Sequence, residues 1–127
     1  MDAHSQEMLE AMFEHAFQLM GVLDAEGRLL AANRSSLAVI GKTLEDVAGQ
    51  PFWETPWWSH DPEVQAKLRK AIGEAAGGGF VRLEATHSDV DGEIRIGDFS
   101  LTPCRDETGA VRWLFPEGRD ITEQKRV

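Results

Sequence analysis

The chain has 127 residues, 42% of them apolar, and 22 acidic against 13 basic side chains give it a net charge of −9. That length and composition suit one globular domain with a core of its own, while the negative field and the scattered basic residues argue against direct nucleic-acid binding. Cys104 is the single cysteine, so no internal disulfide can form, and no apolar run approaches the roughly 20 residues of a bilayer-spanning helix.

A polar start from Met1 to Glu7 and the lone cysteine are expected of a chain in a reducing, cytoplasmic setting. Met8, Leu9, Met12, Phe13 and Ala16 fall at helical spacing behind Ser5 as N-cap, which predicts an amphipathic first helix. Phe17 to Leu23 reads as a strand, Asp24-Ala25-Glu26-Gly27 as a tight turn, and Arg28 to Ala32 as the returning strand. Asn33 stands where a helix cap belongs, ahead of Arg34 to Ile40 and a closing Gly41. Thr43-Leu44-Glu45-Asp46 has the form of a capping box with Asp in place of Glu, opening a short helix that Gly49 ends.

Gln50 to His60 is rich in proline and aromatics: Phe52, Trp53, Trp57 and Trp58. Asp61-Pro62 starts a helix, because the carboxylate caps it and a first-position proline has no needed N–H to lose. Val64, Leu68, Ala71, Ile72 and Ala75 mark its buried face, and Gly77-Gly78-Gly79 stops it. Three strands follow. The first, Phe80 to His87, places Val81, Leu83 and Ala85 on one side, and Asp91-Gly92 turns the chain into the second. There Ile94 and Ile96 hold one phase and Phe99, Leu101 and Pro103 the other, so a bulge near Gly97-Asp98 is expected. Asp106 to Gly109 turns again, before a last strand from Val111 to Gly118. The fold class is α+β: a five-stranded antiparallel sheet covered on one face by helices, with an N-terminal amphipathic helix.

This order of elements resembles the PAS family over nearly the whole chain. Gly118-Arg119-Asp120-Ile121-Thr122-Glu123-Gln124-Lys125-Arg126 is similar to the Asp-Ile-Thr signature that closes such domains and leads into a signalling helix. Similar too are Asp24-Ala25-Glu26-Gly27-Arg28, the capping Asn33, and Ser100-Leu101-Thr102-Pro103 before Arg105-Asp106-Glu107-Thr108-Gly109. Gly49-Gln50-Pro51-Phe52-Trp53-Glu54-Thr55-Pro56-Trp57-Trp58 resembles a branch found in multidomain bacterial sensor kinases. The resemblance implies a non-catalytic sensory and signal-transfer domain of a larger two-component protein, a sensor histidine kinase, with a covalently linked output domain. It divides the chain into a flanking helix (1–16), the PAS domain (17–122) and the start of a signalling helix (123–127). It also implies homodimers, for which Met8, Leu9, Met12 and Phe13 are the contact residues.

At the end motif, Asp120 can accept hydrogen bonds from the N–H groups of a following helix and Thr122 can do likewise. Such a cap ties strand position to helix orientation, so Asp120 and Thr122 are the expected relay residues. Leu37, Ile40, Phe52, Trp53, Leu68, Ile72, Phe99 and Trp113 are the candidates to line a cavity for a small hydrophobic ligand, against the alternative that the same rings fill the core. The cofactor is open. Haem is disfavoured because Val64 to Ala76 contains no histidine; His60 precedes the cap and His87 ends a strand. Flavin is disfavoured because Cys104 is outside any Asn-Cys-Arg motif, and no acidic spacing marks a metal site. Two other functions compete: a ligand-free dimerisation module, and a cone-shaped enzyme of the ketosteroid-isomerase type using Asp98 as base.

Overall fold

Asp2 opens the first helix: its carboxylate accepts the Ser5 N–H at 2.8 Å, and α1 runs Ala3–His15 in a computed structural model that describes residues 2–126. Met1 and Val127, which belong to the outermost of the three expected segments, lie outside the described residues. The cap is thus Asp2 and not Ser5, because a carboxylate at the positive end of the helix takes up its first free N–H groups. No α1 residue is buried, and Met8, Leu9 and Met12 are each at least half exposed.

Strands β1 (Leu19–Asp24) and β2 (Leu29–Ala32) form the first hairpin. Asp24 Oδ1 accepts the N–H groups of Glu26 and Arg28 across the turn, at 3.0 and 2.9 Å. Gly27 completes the turn at φ 89°, where a Cβ would come within 2.8 Å of the Ile72 side chain. The strand begins two residues later than expected, and Phe17 stands wholly exposed. The reason lies in Asn33, whose side-chain amide donates to the carbonyls of Phe13 and Gln18 and so holds the preceding link outside the sheet.

Helix α2 (Arg34–Ile40) begins at Asn33 and ends at Gly41, φ 64°; α3 (Leu44–Val47) begins with the Asp46 carboxylate accepting the Thr43 N–H at 2.9 Å. A single 3₁₀ turn, Phe52–Glu54, follows, and then α4 (Pro62–Ala76), capped by Asp61. Its buried residues are the five expected from their spacing: Val64, Leu68, Ala71, Ile72 and Ala75. Strands β3 (Val81–Ser88), β4 (Ile94–Arg105) and β5 (Val111–Asp120) lead into a last turn, α5 (Thr122–Lys125).

The sheet is antiparallel throughout in the order β2-β1-β5-β4-β3. Its helix-covered face carries Leu23, Phe99, Leu101 and Leu114, all buried. The bulge expected near Gly97-Asp98 does not occur. Pairing of β3 with β4 is unbroken from Val81↔Leu101 to Ser88↔Ile94, and β4 shifts register only between Cys104 and Arg105, against β5. No bulge is needed because the two phases serve two faces: Phe99 and Leu101 point into the core, Ile94 and Ile96 to the other side.

Candidate functional site

The aromatic segment after α3 folds inward. Phe52, Trp57 and Trp58 are buried, Trp57 Nε1 donates to the Ser36 carbonyl at 3.0 Å, and the Thr55 hydroxyl closes onto the Phe52 carbonyl at 2.6 Å. Edge-to-face contacts link Phe52 to Trp58 (5.5 Å between centroids), Trp58 to Phe99 (5.0 Å) and Phe99 to His87 (5.7 Å). These rings leave a cavity of about 30 Å³ whose walls are almost wholly apolar, bounded by Leu29, Phe52, Trp57, Trp58, Phe99 and Pro116 among others. That is room for about one or two waters, so any larger guest enters only if a ring moves.

Phe99 is the ring that connects this cavity to the sheet. It lies across Gly97 on its own strand and Gly118 opposite it on β5: a Cβ on either glycine would meet the ring at 2.2 or 2.3 Å. Both glycines have ordinary negative φ, so what they supply is space for the ring. Displacing Phe99 therefore loads the backbone of β4 and β5 directly.

Gly97 and Gly118 each lie next to the joint with α5. Asp120, across from Gly97, accepts the Thr122 N–H and hydroxyl on one oxygen (2.9 and 2.5 Å) and Arg95 Nε on the other (2.5 Å). The Thr122 hydroxyl oxygen in turn accepts the Ile96 N–H at 2.9 Å, and the Ile121 N–H donates to the Ile96 carbonyl at 2.8 Å. Thr122 thus reaches back to β4 and does not cap the following helix as expected, because the end of β5 delivers it beside the open edge groups of Ile96. Ile121 and Thr122 are both buried. Lys125 adds an ion pair to Glu84 of β3 at 3.0 Å. Partial burial pushes the Asp120 carboxyl up, but the Thr122 hydrogen bonds and the Arg95 guanidinium outweigh it and hold the group below its ordinary range. Asp120 is therefore ionised at neutral pH.

His87 was set aside in the sequence as the end of a strand; the structure places it in the core, 1% exposed, directly across from Arg95. Neither of its ring nitrogens finds a partner among the described residues. Burial pushes its pKa below 6.5, with Arg95 and His60 in the same direction and Asp120 and Asp89 opposed. Above pH 6.5 folded and unfolded chains are both neutral here, and the full contribution to stability is present. As pH falls through 6.5 the unfolded chain takes up a proton that the folded domain refuses, until the lowered folded pKa is passed. Urea unfolding should show this site costing up to about 1.4 kcal/mol per pH unit below about pH 6.5. His87→Leu, which loses no hydrogen bond, should flatten that slope; equal slopes in the two proteins would exclude His87 as its source.

The remaining candidates are dispersed. Of the eight cavity candidates, Phe52 and Phe99 border the cavity; Ile40, Leu68 and Ile72 are buried in the core beside it, and Leu37 packs against that core half-buried. Trp53 is also half-buried, with the Arg69 guanidinium 5.3 Å from its ring. Trp113 pairs with Cys104 and Asp24 on the outer face of the sheet, away from the helices. Sequence reasoning missed Leu29 and Pro116, which carry no polar signal; Trp57 and Trp58 belong to the aromatic segment it singled out, and only the way each ring turns was not legible. Asp98 is no buried base: it too lies on the outer face, holding Arg82 through two hydrogen bonds of 2.7 and 3.1 Å, and Arg82 keeps its carboxyl below the ordinary range. Among the described residues no three His, Cys, Asp or Glu side chains are grouped to hold a metal, and no helix is long and apolar enough to cross a membrane.

Residues 13–126 match the family described as the PAS fold. The chain is 36% identical over 124 residues to the sensor histidine kinase TmoS of Ectopseudomonas mendocina, covering 96% of this chain and 13% of that protein. It is 33% identical over 126 residues to the hybrid signal transduction histidine kinase D of Dictyostelium discoideum, covering 97% of this chain and 8% of that protein. The chain thus spans about a tenth of the length of these relatives. A crystal structure of a PAS domain from Colwellia psychrerythraea superposes with a TM-score of 0.75 at 23% identity, over 96% of this chain and 99% of that one. With its five-stranded sheet, its inward aromatic segment and its Asp-Ile-Thr joint, this chain belongs to the PAS fold family.

Proposed function

We propose that this PAS domain is the sensory, signal-transfer module of a larger histidine kinase, and that it passes a change in its core to an output domain through Asp120 and Thr122. The observation that carries this reading is the joint itself. Ile96 of β4 is bonded on both its N–H and its carbonyl to residues 121 and 122, so the start of α5 follows any movement of β4. Phe99 supplies the input, since its ring borders the cavity and rests on Gly97 and Gly118 at the same end of the sheet. A small apolar ligand that turns Phe99 or Trp58 to enlarge the cavity would shift β4 against β5 and re-aim α5.

On this reading residues 17–122 form the sensor and 123–127 begin the signalling helix, while 1–16 pair two copies. The exposed Met8, Leu9 and Met12 of α1, with the half-buried Phe13, supply the dimer contact. The domain itself is non-catalytic and works in the cytoplasm, with the catalytic step in the linked kinase. Asp120→Asn and Thr122→Val in the full-length parent should each reduce the stimulus-dependent change in autophosphorylation by about tenfold, with the domain still folded by circular dichroism. A full response in both variants would remove the relay from the proposal.

A further inference from the structure

His87 belongs to the core on one side and to a surface groove on the other. Its ring meets Trp58 and Phe99 edge-to-face, at 6.4 and 5.7 Å between centroids. It also borders a concavity of about 630 Å³ between α2, the start of β1, the β3–β4 hairpin and the end of β5. We propose that His87 is an acid-operated latch: on taking a proton from solvent, its ring leaves Phe99 and Trp58, turns into this groove and pairs with the Asp89 carboxylate.

Only apolar contact holds the neutral ring in place, because neither of its nitrogens has a hydrogen-bond partner among the described residues. Leaving therefore breaks no hydrogen bond. Staying is costly for a charged ring that is 1% exposed and has no counter-ion bonded to it. The charges around it set the way out. His87 pairs across with Arg95, and Asp120 with Gly97, so all three side chains stand on the helix-covered side of the sheet. Arg95 is bonded to Asp120, and both Asp120 oxygens are in use. On the hairpin, Asp89 Oδ1 accepts the Asp91 and Glu93 N–H groups, both at 2.9 Å, while Oδ2 makes no hydrogen bond among the described residues. His60, whose Nε2 lies 2.9 Å from the Thr86 hydroxyl, opposes a proton on His87 from the other flank, as Arg95 does. Helix α2 adds Ser35, Ala38 and Val39 to the groove and no charge. Asp89 is thus the acceptor left open, and a change of rotamer carries the ring toward it. What the vacated space beside Phe99 does to β4 and α5 rests on the relay reading above; the latch itself does not.

The test is an NMR titration of the 127-residue chain from about pH 7.5 to about pH 5, following the His87, Trp58 and Phe99 rings. All three should shift together, with one midpoint below about pH 6.5, while the rest of the core stays folded. Asp89→Asn keeps the oxygen that accepts the two turn N–H groups and removes the charge, so it should lower that midpoint by about 0.5 pH unit or more. Three results would each overturn the proposal: a His87 titration with Trp58 and Phe99 unmoved, a midpoint that Asp89→Asn leaves unchanged, or loss of the whole fold before His87 titrates. The Ile96 and Thr122 amides report on the relay separately. If they stay still while the rings move, the latch stands and its connection to the joint fails.

Discussion

Asn33→Ala should destabilise the domain by about 3–5 kcal/mol, a large share of the roughly 5–15 kcal/mol that holds a domain of this kind together. Asn33 is wholly buried, and its side chain makes five hydrogen bonds. The oxygen accepts the Met20 and Ser36 N–H groups and the Ser36 hydroxyl, at 3.1, 3.2 and 2.7 Å. The amide nitrogen donates to the carbonyls of Phe13 and Gln18 at 3.0 and 2.9 Å. One residue thus joins the end of α1, the start of β1 and the first turn of α2. Alanine would leave these groups without partners in a site poorly reached by water, which is the expensive way to lose a hydrogen bond. Asn33→Asp keeps the three accepted bonds but turns a buried carboxylate oxygen toward the Phe13 and Gln18 carbonyls, so at neutral pH it should cost at least as much as alanine and recover as the carboxyl is protonated in acid. Urea unfolding measures both. A loss below about 1 kcal/mol for Asn33→Ala would mean that water replaces the amide and that the junction is less closed than its geometry indicates.

Gly118→Ala is the second large expected effect, about 2–3 kcal/mol, because the new methyl lands on the Phe99 ring at 2.3 Å. The backbone conformation at Gly118 suits any residue, so the penalty comes from the collision alone. Phe99→Ala should cost about 3–5 kcal/mol by opening a hole among Trp58, His87 and the two glycines. The double variant decides the matter. With the ring gone, the methyl at 118 has nothing to strike, so the two losses should fall short of additivity by about 1.5–3 kcal/mol. Additive losses would show that Phe99 does not rest on Gly118, and would break the proposed path from cavity to joint.

Much of the scaffold was legible because local chemistry and tertiary need agree there. The Asp61-Pro62 start, the five-residue buried face of α4, the Gly41 stop and the Asp24 turn each follow from one side chain meeting one backbone requirement. The misplaced bulge shows where such reasoning fails. Ile94 and Ile96 were assigned to the same face as Phe99 on the assumption that apolar residues in a strand share one core. The unbroken register with β3 instead puts them on the opposite side. Trp57 and Trp113 differ similarly: composition marks both as core material, yet only one stands on the helix-covered face, and strand parity with Leu114 decides which. At the joint, Asp120 was identifiable as a cap acceptor. Its bond to Arg95, and the return of Thr122 to Ile96, depend on two strands 25 residues apart in sequence lying side by side. His87 was the largest omission: it continues the phase of Val81, Leu83 and Ala85 and so faces the covered side, but nothing in its polar neighbours Thr86 and Ser88 signals that Trp58 and Phe99 enclose its ring.

The central claim is that β4 and α5 move as one body through Thr122. Amide hydrogen exchange on wild type and Thr122→Val measures this directly. Valine removes the acceptor for the Ile96 N–H and the donor to Asp120 while keeping the shape of the side chain. Protection should fall together, by about 5–30-fold, at Ile96 and at the amides of Lys125 and Arg126, which donate to the Ile121 and Thr122 carbonyls and close the α5 turn. Faster exchange at Ile96 alone, with Lys125 and Arg126 unchanged, would mean that the strand and the helix open independently, and the relay would have no mechanical basis.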